Sequence, residues 1–223
     1  RVVLLKEVKD QEFVFFTNTT SMWNICRAAE QLGIKNVLLG SSYNSIGAMG
    51  TAARWDKNEV KPPEYFPIDQ YQGTRSEDPY SVAKWIGEQV GDAFARRNPD
   101  MSIGSMRFNG MWDDEKFKEL NKNPISNAWE RCQGFWTYLH IKDAATACRM
   151  AVEKPNWKGH EKFFLNAKDT MITIETMEAI KIVYPDVELR EEITGHNAPL
   201  KIDLAKEKFD WEPKFSWRDS IFG

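Results

Sequence analysis

A tyrosine and a lysine stand four residues apart, at Tyr80 and Lys84, in a segment that opens with Asp78-Pro79. Asp is a favoured N-cap residue and Pro fits the first helical turn, so the segment is predicted to be a helix running to about Arg97. Side chains four apart lie on one helix face. An ammonium near a phenol favours the phenolate and lowers the pKa of the tyrosine from its ordinary value of about 10. A tyrosine so tuned gives a proton to a carbonyl oxygen or takes one from an alcohol.

A serine, Ser42, follows the apolar run Val37–Leu39. The run predicts a buried strand, and the carboxyl ends of parallel strands border the ligand crevice of an α/β protein. The Ser42 hydroxyl is therefore expected to hydrogen-bond the same substrate oxygen as Tyr80. The spacing Y-x-x-x-K alone is a weak signal, because an exposed tyrosine beside a solvated lysine occurs by chance in many helices.

The elements that must position these residues alternate between strands and helices. This alternation is typical of an α/β fold with a parallel sheet. Helix-capping residue types, Asn18-Thr19-Thr20-Ser21, precede a helical pattern that Gly33 ends. The apolar runs predict strands over 2–5, 37–39, 101–108, 135–141, 163–166 and 187–190, and further helices over 78–97, 143–152, 173–184 and 204–209.

The composition excludes several classes of protein. The 223 residues are 42% hydrophobic and 13% aromatic, which is too apolar for an intrinsically disordered chain. No stretch approaches the roughly 18 uncharged apolar residues of a membrane span. With a net charge of −3 and no basic stripe, a nucleic-acid partner is not expected. Three sparse cysteines, Cys26, Cys132 and Cys148, form no disulfide framework, so a reducing, cytoplasmic setting is expected, and no ligand spacing indicates a metal.

Taken in order, these motifs resemble an extended short-chain dehydrogenase/reductase of the NAD-dependent epimerase/dehydratase group. The resemblance is closest to its uronate-dehydrogenase-like and sugar-epimerase-like branch and extends over almost the whole chain. The matching segments are 18–20 with the following helix, 33–42 with Gly47, 78–84, Met106-Arg107-Phe108-Asn109, 140–145 and Asp210-Trp211-Glu212-Pro213. The resemblance implies a Rossmann-like parallel sheet with helices on both faces and a small C-terminal substrate lobe that includes Trp136–His140.

The resemblance also implies roles for individual residues. The catalytic residues would be Tyr80 as acid/base, Lys84 lowering its pKa and holding the nicotinamide ribose, and Ser42 orienting the substrate oxygen. NAD or NADP would be bound by Tyr80, Lys84, Asn18, Ser41, Phe108 and Asn109. A sugar-type substrate would be bound by Ser42, Tyr43, Asn44, Asn109 and Arg131. Hydride would pass between the nicotinamide and a substrate carbon while Tyr80 moves the proton.

The glycine-rich turn that cradles the dinucleotide pyrophosphate in this family is absent, because no G-x-G occurs in the sequence. Val2–Leu5 resembles the fourth strand of the family, so the first three strands are expected to be missing. The chain is expected to be a fragment rather than a naturally truncated protein, since a central strand without its partner exposes an apolar edge. We expect residues 1–110 to form a partial Rossmann-like core and 111–223 the remaining strands with the substrate lobe.

Two functional hypotheses follow. The first is an NAD(P)-dependent oxidoreductase or epimerase acting on a sugar or sugar derivative. Dehydration ranks last, because Tyr43-Asn44 stands where dehydratases usually place an Asp-Glu pair. The second is a non-catalytic binding or scaffold protein that kept the fold, which the absent glycine-rich turn supports. The resemblance further implies a homodimer formed by the helix after Asn18 and the helix of Tyr80, whose small-residue strip Gly87, Gly91 and Ala95 faces either a partner or the chain's own sheet.

Overall fold

The computed structural model of the chain describes residues 10–47 and 61–222. The predicted strand over 2–5 lies outside these residues. The described helices are α1 (Gln11–Leu32), α2 (Pro79–Arg97), α3 (Asp114–Lys122), α4 (Ile141–Glu153), α5 (Thr176–Val183) and α6 (Asp203–Phe209). The strands are β1 (Asn36–Ser42), β2 (Tyr65–Phe66), β3 (Ser102–Phe108), β4 (Met111–Trp112), β5 (Leu139–His140), β6 (Gly159–Leu165) and β7 (Glu188–Leu189).

The main sheet contains three strands in the order β1-β3-β6. The strands start at the same edge, because the Ser102 amide donates to the Lys35 carbonyl (2.8 Å) and the Gly159 amide donates to the Met101 carbonyl (2.8 Å). They therefore run parallel, as a strand–helix–strand sequence requires. Two short parallel pairs, β2–β7 and β4–β5, complete the described sheets. The predicted α/β class with a Rossmann-like parallel sheet is confirmed.

The described residues form two compact units, which are discontinuous in sequence. The first contains residues 10–47, 61, 73–107 and 151–163, and the second contains 62–72, 108–150 and 164–222. The chain returns to the main sheet after α4, so that most of β6 belongs to the first unit. The expected segments 1–110, a partial core, and 111–223, the remaining strands with the substrate lobe, stay a prediction.

The core of the first unit lies between α1, α2 and the sheet. Met22, Cys26 and Ala29 recur at helical spacing on α1 and are buried against Leu39 of β1 and Phe94 of α2. Burying a large apolar side chain stabilises a fold by about 1.5–3 kcal/mol. This cluster fixes both helices against the strand that ends at Ser42.

The first helix begins earlier than predicted. The capping-type residues at 18–21 lie inside α1, where the Asn18 amide donates to the Val14 carbonyl (2.8 Å) and the Thr19 hydroxyl donates to the Phe15 carbonyl (2.8 Å). Asn, Ser and Thr side chains either cap a helix or bond back to the preceding turn, and the residue types alone do not distinguish the two. The expectation that Asn18 heads the helix is therefore wrong.

The predicted strand over 135–141 is also largely wrong, since only Leu139–His140 pairs as a strand. Arg131, Phe135 and Trp136 adopt left-handed backbone conformations, with φ values of 62°, 53° and 56°. These conformations break an extended run. Phe135 and Trp136 are fully buried, so the apolar pattern reports burial rather than strand.

A chain of buried polar groups links β3, β6 and α2 in the first unit. His160 Nδ1 donates to Asp92 Oδ1 (2.8 Å), and His160 Nε2 lies 2.7 Å from Ser105 Oγ. Ser105 is fully buried, and the His160 side chain is almost so. Because buried polar groups need partners, this chain fixes the position of α2 over the sheet.

In the second unit, two carboxylates hold the C-terminal segment. Asp143 accepts from the Lys214 and Phe215 backbone amides, each at 3.0 Å. Asp169 accepts from the hydroxyls of Tyr138 and Ser216.

Within the described ranges, no helix has the length and apolar character needed to cross a bilayer.

Candidate active site

Helix α2 carries the candidate acid/base, and its start is fixed as the sequence predicts. The Asp78 carboxylate accepts from the backbone amides of Tyr80 (3.0 Å) and Ser81 (2.9 Å), and Pro79 occupies the first helical turn. The N-cap satisfies amides that the first turn leaves without helical partners. Tyr80 is thereby held in the first turn of α2, beside the end of β1.

Ser42, Tyr80 and Lys84 come together in the first unit. The Lys84 ammonium lies 5.4 Å from the centre of the Tyr80 ring and donates to the Gly40 carbonyl (2.7 Å). The Ser42 hydroxyl lies close enough to the Tyr80 phenol to lower the pKa of that phenol. Ser42 and Lys84 are buried, and Tyr80 is half-buried. The three residues form one cluster at the carboxyl end of β1, which is where a parallel sheet places its ligands.

The electrostatics of this cluster differ from the expectation of a lowered tyrosine pKa. Burial raises the pKa of Tyr80 above its ordinary value and the Asp78 carboxylate adds to the rise, whereas the Ser42 hydroxyl acts in the opposite direction. The Lys84 ammonium is directed to the Gly40 carbonyl, and burial lowers its own pKa. Tyr80 is consequently a neutral phenol near pH 7.

The turn after Ser42 is hydrogen-bonded to the segment that precedes α2. Residues Tyr43–Ile46 form a single 3-10 turn, and Gly47 follows with φ of +69°. The Ile46 carbonyl accepts from the Arg75 amide (2.8 Å). A Cβ on Gly47 would lie 2.0 Å from the Ser76 nitrogen, so only glycine permits this approach. The contact connects the end of β1 to the entry of the helix that carries Tyr80.

Three residues predicted to face cofactor or substrate lie close to Ser42 in the sequence. The Ser41 hydroxyl donates to the Glu88 carboxylate (2.7 Å) and is buried, so it is directed into the protein interior. The Asn44 backbone amide donates to Ser42 Oγ (3.2 Å). The buried side-chain oxygen of Asn44, Oδ1, accepts no hydrogen bond from the described residues. Tyr43 is half-buried. The contact with substrate that was expected for Asn44 therefore stays a prediction.

The remaining predicted site residues are Asn18, Phe108, Asn109 and Arg131. Asn18 bonds within α1, as described above. In the second unit, the Asn109 side chain donates to the Leu165 carbonyl (3.4 Å) and accepts from the Thr137 hydroxyl (3.0 Å). Phe108 is half-buried at the end of β3, and Arg131 is exposed. The roles expected for them stay predictions.

Sequence reasoning missed a buried ion pair next to the cluster. Glu88 and Arg107 are 0% and 3% exposed, and the guanidinium Nε and Nη2 each donate to the carboxylate at 2.8 Å. Two signals were present: Glu88 continues the spacing of Tyr80 and Lys84 by a further turn, and Arg107 stands in an apolar strand. A charge in a buried strand requires a partner.

In the described part of the chain, no group of three or more His, Cys, Asp or Glu residues is arranged to hold a metal.

Comparisons with known proteins find solved structures that share this fold. No protein-family model matches the sequence. No curated protein matches it either. Solved structures do match over nearly the whole chain. A short-chain dehydrogenase/reductase superfamily protein from Agrobacterium tumefaciens with bound NAD has a TM-score of 0.64 at 13% identity, covering 97% of this chain and 74% of that one.

Two further structures show the same likeness. MoeE5 in complex with UDP-glucuronic acid and NAD has a TM-score of 0.59 at 15% identity, and the alignment covers 97% of this chain and 74% of that one. The UDP-Glc/GlcNAc 4-epimerase from Campylobacter jejuni has a TM-score of 0.61 at 14% identity, covering 97% and 71%. Identities this low establish the fold and no more. The chain has the fold of the extended short-chain dehydrogenases/reductases, the NAD-dependent epimerases and dehydratases.

Proposed function

We propose that the protein is an NAD(P)-dependent oxidoreductase or epimerase that acts on a sugar or sugar derivative. The observation that carries the proposal is the cluster of Ser42, Tyr80 and Lys84 at the carboxyl end of β1. The fold supports it, because the similar structures include proteins with bound NAD, UDP-glucuronic acid or UDP-glucose. Fold likeness alone does not assign a reaction, so the proposal depends on the cluster.

The residues present fit the nicotinamide end of a dinucleotide. The buried Lys84 ammonium and the half-buried Tyr80 phenol offer two polar groups at the strand end where the ribose would be held. Tyr80 and Lys84 do not discriminate between NAD and NADP. No glycine-rich turn for the pyrophosphate occurs in the sequence. The cofactor, when bound, accepts or gives a hydride.

The proton chemistry belongs to the chain's own residues. The hydroxyls of Ser42 and Tyr80 would hold the reacting oxygen of the substrate, with Asn44 Oδ1 accepting a neighbouring hydroxyl. Because Tyr80 is a neutral phenol, it is ready to donate its proton to a carbonyl oxygen that becomes an alcohol. In the reverse direction Tyr80 must first lose its proton before it can accept one from an alcohol.

Dinucleotide binding tests the proposal directly. Titration of the protein with NAD or NADP is expected to quench tryptophan fluorescence, and Lys84→Met is expected to weaken binding about tenfold, since a lost hydrogen bond from a charged group is worth roughly 1.5 kcal/mol or more. Lys35→Met, which removes an exposed lysine paired with Asp100, serves as the control and should bind normally. Equal binding by the Lys84 variant and the control would contradict the proposed site.

The second candidate is a non-catalytic binding or scaffold protein that kept the fold. The two candidates differ in measurable properties. A source protein with an intact mass equal to 25.9 kDa and no response to either dinucleotide would favour the scaffold. A larger intact mass together with dinucleotide binding would favour the enzyme.

We also propose a homodimer formed through α1. The strip of small residues on α2 is used inside the chain, because a Cβ on Gly87 would lie 2.5 Å from Met22 Sδ and a Cβ on Gly91 would lie 2.8 Å from His160 Nε2. The outer face of α1 instead exposes aromatic side chains, with Phe13 at 58% and Phe16 at 60%. Helical spacing of three residues puts both rings on one face.

Charges on that face should separate the dimer. Phe13→Glu combined with Phe16→Glu is expected to convert a dimer into a monomer in analytical ultracentrifugation, because like charges would then oppose each other across the interface. Ile221→Glu changes an equally exposed apolar residue of the second unit and should leave the mass unchanged. A monomeric wild-type protein, or a double variant that remains dimeric, would refute this interface.

A further inference from the structure

Glu88 is a buried charge with several hydrogen-bond partners in the described part of the first unit. It lies on α2 one turn beyond Lys84 and two turns beyond Tyr80, and its side chain is 0% exposed. Its carboxylate accepts four hydrogen bonds: from Ser41 Oγ at 2.7 Å, from Ser45 Oγ at 3.0 Å, and from Arg107 Nε and Nη2 at 2.8 Å each.

This carboxylate is ionised. Burial alone would raise the pKa of Glu88, but the Arg107 charge and its hydrogen bonds, with those of the two serine hydroxyls, outweigh burial and hold the pKa below its ordinary value. Replacing such a pair by apolar residues is often neutral for stability. Its presence beside a candidate active site therefore suggests a role other than stability.

The partners of Glu88 define that role. Ser41 and Ser45 stand on either side of Ser42, at the end of β1 and in the following 3-10 turn. Both are tied through one carboxylate to the helix that carries Tyr80. Displacement of the Glu88 carboxylate would release both flanks of Ser42 together.

We propose that Glu88 is a positioning residue, whose buried carboxylate, held by Arg107, fixes the Ser42 hydroxyl against the Tyr80 phenol. The inference deepens the proposed function and rests on it for its catalytic consequence. Its structural content, the influence of the Ser42 hydroxyl on the titration of the Tyr80 phenol, can be measured without turnover. Misplacement of a reacting group by about 1 Å can cost roughly 100-fold in rate.

The test uses two variants that leave no buried charge unpaired. Glu88→Met combined with Arg107→Leu removes the ion pair, and Ser41→Ala combined with Ser45→Ala removes the two hydroxyl contacts while keeping it. Asp92→Asn is the matched control, since Asp92 lies one turn further along α2 and bonds to His160. All proteins are labelled with 3-fluorotyrosine, and the Tyr80 resonance is assigned by its loss in Tyr80→Phe.

The fluorine resonance of Tyr80 is followed against pH, with melting temperature and turnover measured in parallel. The Ser42 hydroxyl lowers the pKa of Tyr80, so both double variants should titrate at higher pH than wild type, with melting near wild type and kcat about 100-fold lower at similar KM. The Asp92 variant should melt earlier and titrate normally. Unchanged Tyr80 titration in both double variants overturns the proposal. A shifted titration in a protein without turnover upholds the positioning role and refutes the proposed function.

Discussion

Turnover should fall by about 10²–10⁴-fold when Tyr80 is replaced by Phe, because the variant keeps the ring but loses the proton that general acid catalysis requires. The ring packs at the start of α2, whose N-cap bonds run from backbone amides to Asp78 and do not involve the phenol. Melting temperature should therefore change little. The measurement is the change in nicotinamide absorbance with a panel of sugar nucleotides, including UDP-glucose and UDP-glucuronic acid.

The control for this prediction is Tyr71→Phe. The Tyr71 side chain is 80% exposed, so the same chemical change is made at a tyrosine outside the cluster. Its turnover should equal that of the wild type. Near-normal turnover in the Tyr80 variant, measured beside this control, would remove Tyr80 from the mechanism.

Gly47→Ala is expected to destabilise the protein by about 3 kcal/mol or more. A non-glycine residue at φ of +69° costs roughly 1–2 kcal/mol, and the new methyl would overlap the Arg75–Ser76 backbone, which adds the cost of overpacking, about 1–3 kcal/mol. Backbone atoms cannot move aside as a flexible side chain can. Relief of the overlap would displace the end of β1 from the entry of α2, so turnover should fall too.

Gly159→Ala separates the two costs. Gly159 has φ of +84°, and a Cβ there would meet nothing within 4 Å. The loss of stability in this variant should be about 1–2 kcal/mol, which is the conformational cost alone. Urea unfolding of both variants measures the difference between their free energies of unfolding. Equal losses of stability in the two variants would contradict the close approach of Gly47 to the backbone of residues 75 and 76.

Local signals were sufficient for the elements that carry the cluster. Asp78-Pro79 predicted the start of α2 to the residue, and the apolar runs predicted β1 and β3 because buried parallel strands are continuously apolar. The spacing of Tyr80 and Lys84 predicted a shared face. The pKa direction was wrong, because the depth of burial and the contact of Lys84 with Gly40 depend on tertiary packing.

One of the remaining failures is due to a contact between distant residues, and the others have different causes. Arg107 and Glu88 are 19 residues apart, and nothing in either neighbourhood specifies the other. Phe135 and Trp136 combine a left-handed backbone with fully buried rings, and a pattern of apolar residues specifies the burial but not the backbone. Asn18 lies within α1 because its side chain can bond backwards as readily as it can cap.

The polar chain of Ser105, His160 and Asp92 has the interatomic distances of a serine-hydrolase triad. Its serine is 0% exposed within strand β3, and the imidazole lies so close to Gly91 that an added methyl would overlap it. No acyl group can reach the hydroxyl, and no space remains for a tetrahedral adduct. A geometric template of three side chains would therefore classify this protein among esterases and peptidases, and solvent access is the criterion that separates it from them.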